Sequence, residues 1–407
     1  MLSISALRDQ IEREARAAHE ALAALSDDRV ARALEAAASL LAERPAAVLQ
    51  ANRDDMAAAE GKLDDGALDR LRLDEARLEA IEVQLEALAA LPPLEREISS
   101  WTLDNGLHVR ERRIPVGVVG ANFEARPNVA VDVAGQLLKS RNAALLRTGG
   151  AALGTVTALV DEVLRPALER AGLPAGAVGL VRSPDREGAR ELVSLPRLVP
   201  LVILRGSGPS TAALAKLAAE NGVRTLAHAE GGGVLYVHAA ADPERAAAIV
   251  EASLDRLGVC NRLNLLLVDS QQQLPGLLAV LERLGIEAAD GPLGHEWAND
   301  PDRVATVSVR VVDGVEQAAA IANGETSGLA AGIVTEDETA AEAFLEAYRG
   351  TAAFWHATTR FTDGFALTGA PETGINVDWV PGPRGPVTYR DLWLRQYVVV
   401  GDATQRR

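Results

Sequence analysis

Apolar positions change their spacing twice along this chain. Through the first 95 residues they recur at helical intervals. Ser26-Asp27-Asp28 opens a run from Val30 to Leu41 that stops before Pro45, and a second helix follows through Met56. A third runs from Leu71 to Leu91 and is stopped by Pro92-Pro93. The period then falls to two from Trp101 to Arg110, centred on Asn105-Gly106, which predicts a hairpin whose arms carry Arg110, Arg112 and Arg113. From residue 114 onward short apolar runs alternate with helical stretches. Strands are predicted at 117–120, 143–147, 177–181, 198–204, 234–237 and 263–268, then at 305–312, 332–335 and 352–355. The stretches 129–140, 153–171, 211–221, 315–323 and 338–348 read as helices, and 392–400 as an edge strand. Such βαβ alternation specifies an α/β protein with parallel sheets.

A length of 407 residues suits two or three domains, and 48% hydrophobic content supplies large cores. The net charge of -16 argues against nucleic acid and for a soluble, cytoplasmic protein, while leaving room for a local basic phosphate site. Residues 1–20 hold no signal-peptide core, and no run reaches the roughly 18 apolar residues of a membrane helix.

Candidate chemistry centres on Cys260, the only cysteine, which excludes an internal disulfide. It sits in Leu257-Gly258-Val259-Cys260-Asn261, just before the apolar run 265–268. A lone thiol is either a small buried hydrophobe or a nucleophile activated by its setting. Two loops after predicted strands suit an anionic cofactor at the carboxyl edge of a parallel sheet. One is Arg147-Thr148-Gly149-Gly150; the other is Arg205-Gly206-Ser207-Gly208. Neither is a G-x-G-x-x-G or Walker motif. Glu230-Gly231-Gly232-Gly233 forms a further glycine-rich turn. His228 and His356 are isolated and read as structural, and nothing has metal-ligand spacing, so no metal is expected.

The order of motifs resembles the aldehyde dehydrogenase superfamily, and within it the γ-glutamyl phosphate reductases of proline biosynthesis. The segments that carry the likeness are Arg113 to Gly120, Phe123-Glu124-Ala125-Arg126-Pro127-Asn128-Val129 and Leu138-Lys139-Ser140 with Asn142 and Arg147. Gly258-Val259-Cys260-Asn261, Thr358 to Gly364 and Arg384-Gly385-Pro386 extend it to about residue 400. The resemblance implies a Rossmann-type cofactor domain (1–100 and 114–254) and an α/β catalytic domain (255–387). It also implies a small β oligomerisation unit (101–113 and 388–407) that makes a homodimer or homotetramer. It implies NADPH as cofactor, with NAD an alternative, bound by Lys139, Arg147, Gly149, Gly206, Ser207, Gly208, Glu230 and Gly231. Cys260 and Asn261 become the catalytic pair, and Arg126, Asn128, Arg360, Thr362 and Asp363 the substrate-binding set. The thiol would attack an acyl phosphate to form a thioester, reduced in turn to the aldehyde. An acyl phosphate kinase or an acyl carrier protein is the implied partner.

The chain departs from that family in the tract Glu325 to Glu336, which lacks the family's histidine, and in His295 to Asp300. These departures leave the substrate open between γ-glutamyl phosphate, another amino acyl phosphate and a carrier-bound acyl thioester. An aldehyde-oxidising enzyme with Glu230 as its base, or a non-catalytic paralogue, are the remaining readings.

Overall fold

The structure is a computed structural model that describes residues 3–206, 208–228, 231–269, 271–289, 305–380 and 382–405, without the side chain of His228. Five helices open the chain: α1 (Ile4–Ala21), α2 (Asp27–Glu43), α3 (Pro45–Ala59), α4 (Asp65–Leu71) and α5 (Glu75–Ala90). Strands β1 (Glu97–Thr102) and β2 (His108–Pro115) form the hairpin, with Gly106 at φ 86° in its turn. The first sheet is built by β3 (Val118–Phe123), α6 (Asn128–Lys139), β4 (Ala143–Thr148), α7 (Leu153–Ala158) and α8 (Arg165–Arg170). It continues with β5 (Val178–Leu180), α9 (Glu187–Leu192), β6 (Leu201–Arg205), α10 (Gly208–Glu220) and β7 (Arg224–His228). The second follows with β8 (Gly233–Val237), α11 (Pro243–Ala252), β9 (Leu263–Val268), α12 (Leu274–Arg283), β10 (Glu287–Ala289) and β11 (Thr306–Val311). Then come α13 (Gly314–Gly324), β12 (Ala330–Val334), α14 (Glu338–Ala347), β13 (Ala353–Trp355) and α15 (Gly364–Thr368). The short strands β14 (Gly374–Asn376) and β15 (Gly385–Val387) pair with each other, and β16 (Trp393–Val400) closes the chain.

Both large sheets are wholly parallel. The first has the order β5-β4-β3-β6-β7, so the chain reverses its direction of travel between β3 and β6. At such a switch point the loops leaving neighbouring strands diverge and open a crevice. The second has the order β10-β11-β9-β8-β12-β13. Cores cover both faces of each sheet, which is why the strands are continuous apolar runs with no alternation. Within β9, Leu263, Leu266 and Val268 enter one core while Leu265 and Leu267 enter the other. Pairing shifts at Gly233/Val234 and leaves Asn264 as the extra residue of a bulge.

Three expectations change. Strand β8 pairs with β9 and β12, so the second sheet begins at Gly233 and not at Asp255. A strand apolar on both faces carries no mark of which sheet it joins. The chain also returns to the first core earlier than residue 388, because Ala370, Val387, Tyr389 and Leu392 are buried there. Finally, the helix expected over 153–171 is interrupted by a π-helical turn at Leu159–Leu164, just ahead of Pro166. Proline has no N–H to give to the ladder, and widening the preceding turn accommodates it. The C-terminal strand does join the hairpin, antiparallel to β2 from Trp393↔Pro115 to Val400↔His108.

Asn142 pins these parts together. Fully buried, it accepts from Gly117 N at 2.9 Å and donates to Ser140 Oγ at 2.7 Å and Leu392 O at 2.8 Å. Each group stranded by its loss costs about 1–3 kcal/mol. Asn142→Ala is therefore expected to lower stability by about 2–4 kcal/mol in urea unfolding.

Candidate active site

Cys260 lies in the turn ahead of β9, at the amino end of the second sheet, after Gly258 at φ 71°. Only glycine adopts that conformation without a Cβ penalty. The thiol is half-buried against Leu329, Ala330 and Ile375. Gly231 passes so close that an added Cβ would meet Leu329 Cδ2 at 2.6 Å and Cys260 Cβ at 3.2 Å. Leu329 comes from the tract that departs from the family pattern.

Asn261 locks this turn to the C-terminal segment. Its Nδ2 donates to Arg360 O at 3.0 Å and Thr362 O at 3.1 Å, and its Oδ1 accepts from Arg360 Nη1. Thr359 Oγ1 donates to Asn261 O at 2.9 Å. Arg360 Nε also pairs with Asp255 at 2.7 Å. Both amide protons of Asn261 are thus spent on carbonyls, while Arg360 gives Nε to Asp255 and Nη1 to Asn261.

Facing this turn is the crevice of the first sheet. Arg126 is exposed in the loop after β3, and Arg205, at the end of β6, donates to Thr373 O at 3.1 Å. Burial pushes the Cys260 thiol above its ordinary pKa. Arg126 is the strongest influence pulling it down; Glu372 raises it and Arg205 lowers it. Asn128 donates to Asp132 Oδ2 at 3.0 Å, one turn into α6. Burial lifts the Asp132 carboxyl to about 7, with Glu372 adding to that rise and Arg205 and Asn128 opposing it.

The aldehyde dehydrogenase family model matches residues 5–293. The γ-glutamyl phosphate reductase of Caulobacter sp. (strain K31) is 35% identical over the whole of both chains. That of Rhodospirillum rubrum is 36% identical over 99% of this chain and 97% of its own. This chain belongs to the aldehyde dehydrogenase family. The crystal structure of γ-glutamyl phosphate reductase from Thermotoga maritima superposes with a TM-score of 0.89 at 28% identity, covering 98% of this chain and all of that one. An acetylating aldehyde dehydrogenase from Geobacillus thermoglucosidasius shares the fold, with a TM-score of 0.71 at 17% identity over 99% and 98% of the two chains.

As an aldehyde dehydrogenase family member the protein is an NAD(P)-dependent oxidoreductase that acts on a small molecule. Its crevice fits a dinucleotide. Gly149 has open space where a side chain would project, and the fully buried Thr148 Oγ1 beside it has no hydrogen-bond partner among the described residues. Gly206 leads from β6 to the start of α10 at Gly208, where helix N–H groups favour a phosphate.

Other expected site residues are placed elsewhere. Lys139 is buried and donates to Ala89 O at 3.0 Å and Leu91 O at 2.6 Å, so it closes the end of α5. Arg147 is buried between Asn122 Oδ1 at 3.1 Å and Asp185 O at 2.8 Å, an internal brace. Asn261 and Arg360 hold the thiol turn against the C-terminal segment. Asp363 caps α15 by accepting from Ala366 N at 3.2 Å. Thr362 is fully buried, and Gly231 packs on Cys260 and not on a phosphate site. Ser207, Glu230 and the tract 295–300 lie outside the described residues. His356 accepts from Thr335 N at 3.3 Å and meets Arg245 Nη1 at 3.3 Å, a structural setting. Sequence reading missed Asp132 and Glu372; an aspartate set among Val129, Val131 and Val133 in a largely buried helix was the available signal for the first.

Two outcomes follow from this geometry. Iodoacetamide should alkylate Cys260 along a pH profile displaced above that of an ordinary thiol. Removing the pull of Arg126 raises the pKa further, so Arg126→Ala should slow alkylation at pH 7.5 by roughly three- to tenfold. Gly231→Ala should displace the thiol turn and destabilise the protein by about 1–3 kcal/mol, read by thermal unfolding.

Proposed function

We propose that this protein reduces γ-glutamyl phosphate to glutamate-5-semialdehyde with NADPH, through a thioester on Cys260. The observation that carries this reading is the end-to-end match to γ-glutamyl phosphate reductases, with the charge of Arg126 acting on Cys260. The Cys260 thiolate attacks the acyl carbon, the C–O bond to phosphate breaks, and a thioester remains. The Cys260 N–H lies against the sulfur and can share the developing oxyanion, a kind of contact worth about 10²–10³ in rate. Arg126 favours the thiolate and takes the departing phosphate, while Asn261 holds the sulfur in line. The nicotinamide cofactor, when bound, supplies the hydride. Release of the thiolate then gives the aldehyde, and one proton restores the thiol. Phosphate is a good leaving group, so no base is needed to activate water in this direction.

NADPH is favoured by the end of β4. NAD-selective sites of this topology carry an acidic residue there for the ribose hydroxyl. This chain has Thr148-Gly149-Gly150, with the charge of Arg186 close enough to act on Arg147. A kinase that makes the acyl phosphate is the expected upstream partner. The β1–β2–β16 arm exposes Trp101, Leu394, Tyr397 and Val399, which suits assembly into a homo-oligomer. Among the described residues no helix is long and apolar enough to cross a membrane, and we take the reaction to be cytoplasmic.

The test runs the reaction backwards, as phosphate-dependent reduction of NADP by glutamate-5-semialdehyde. Activity is expected in the native protein and none in Cys260→Ala. Turnover that persists in the variant, or that ignores phosphate, overturns the reading.

A further inference from the structure

We propose that Asp132, backed by Glu372, is the specificity-determining residue that receives the α-ammonium group of the substrate. The inference rests on the γ-glutamyl phosphate reading and adds which end of that molecule the site recognises.

Asn128, Asp132 and Gln136 follow one another at four-residue intervals and share one face of α6. That face meets the C-terminal segment as it returns to the first core. Gln136 Oε1 accepts from Tyr389 N at 2.6 Å at its inner end, and Asn128 stands at the crevice end. Between them Asp132 is half-buried and reaches the charges of Arg205 and Glu372. The returning segment fixes both neighbours: Glu372 Oε2 accepts from Gly364 N at 2.7 Å, and Arg205 donates to Thr373 O at 3.1 Å. Gly364 is two residues beyond Thr362, whose carbonyl is gripped by Asn261 beside the thiol. One continuous set of contacts therefore runs from Cys260 to Glu372, whose charge acts on Asp132.

The charges acting on the thiol are Arg126, Glu372 and Arg205; those acting on Asp132 are Arg205 and Glu372. Glu372 and Arg205 thus act on both the thiol and Asp132. γ-Glutamyl phosphate carries its anionic phosphate at the reacting carbon and its ammonium three carbons away. The exposed Arg126 suits the first, and Asp132 with Glu372 suits the second. Asp132 also has reason to take a cation. Its hydrogen-bond donor is the neutral Asn128, and Arg205 reaches it only through space. Burial and Glu372 make its ionised form costly until a positive group arrives.

The experiment compares two aldehydes in the phosphate-dependent reverse assay: glutamate-5-semialdehyde and 5-oxopentanoate, the same chain without its amino group. Each variant is scored as its ratio to the native protein on one aldehyde, which cancels cyclisation of the amino substrate. Losing one member of a close charge pair costs roughly 30-fold or more. Asp132→Asn should therefore raise KM for glutamate-5-semialdehyde roughly 30-fold, with kcat held within about threefold and 5-oxopentanoate kinetics unchanged. Glu372→Gln should move the same KM in the same direction by less. Thermal unfolding and unchanged kinetics on 5-oxopentanoate report that the fold and the thiol are intact in each variant. An equal loss on both aldehydes, or no change on either, overturns the assignment. A native protein that turns over neither aldehyde overturns the γ-glutamyl reading itself, and the assignment with it.

Discussion

The grip of Asn261 on the carbonyls of Arg360 and Thr362 is the contact on which the site depends. Cys260 sits in a turn at the amino end of a strand, a place with no ladder hydrogen bonds of its own. A nucleophile misplaced by about 1 Å loses much of its rate advantage. The turn is held from three sides: by Asn261 toward the C-terminal segment, by Thr359 on the Asn261 carbonyl, and by the close passage of Gly231. The same segment continues to Glu372 and Thr373, which meet Gly364 and Arg205. One stretch of chain thereby sets the thiol of the second sheet against the crevice of the first.

Fold class, the strand–helix alternation and the docking of residues 392–400 on the hairpin were legible because each rests on a local period or turn signal. The sheet to which β8 belongs was not legible, since parallel strands covered on both faces look alike. β7, β10 and the pair β14 and β15 escaped notice because none of Arg224–His228, Glu287–Ala289, Gly374–Asn376 and Gly385–Val387 is a continuous apolar run like β4 or β9. Cys260 was legible as the only thiol in a recognisable motif. Its raised pKa was not, because that depends on Leu329, Ala330 and Ile375, which lie about 70 residues or more away in sequence.

The basic candidates divide by a rule that sequence does not display. Lys139, Arg147 and Arg360 each stand beside glycine or polar residues in motifs that suggest ligand binding. Each is nevertheless consumed by protein acceptors: helix-end carbonyls, a backbone carbonyl with an asparagine, and an aspartate with an asparagine. A buried cation must find such partners or forfeit its charge, so burial itself predicts that it is engaged. Arg126 is the exception, exposed at the crevice and within reach of the thiol.

A net charge of -16 and an anionic reactant at first seem opposed. The field that matters is local, because charges beyond a Debye length of about 8–10 Å are largely screened at physiological salt. Desolvation at the crevice pulls the Arg126 pKa down to about 10, and Arg205, Arg70 and Arg256 lower it further, so four guanidinium groups act at one mouth. Focusing positive charge in a cleft of an otherwise acidic protein draws a phosphate to one place and discourages its binding anywhere else. Asp132 and Glu372 lie just inside that cationic mouth. A purely anionic chain would meet them with repulsion, whereas a molecule with an ammonium at its far end would bring them a cation.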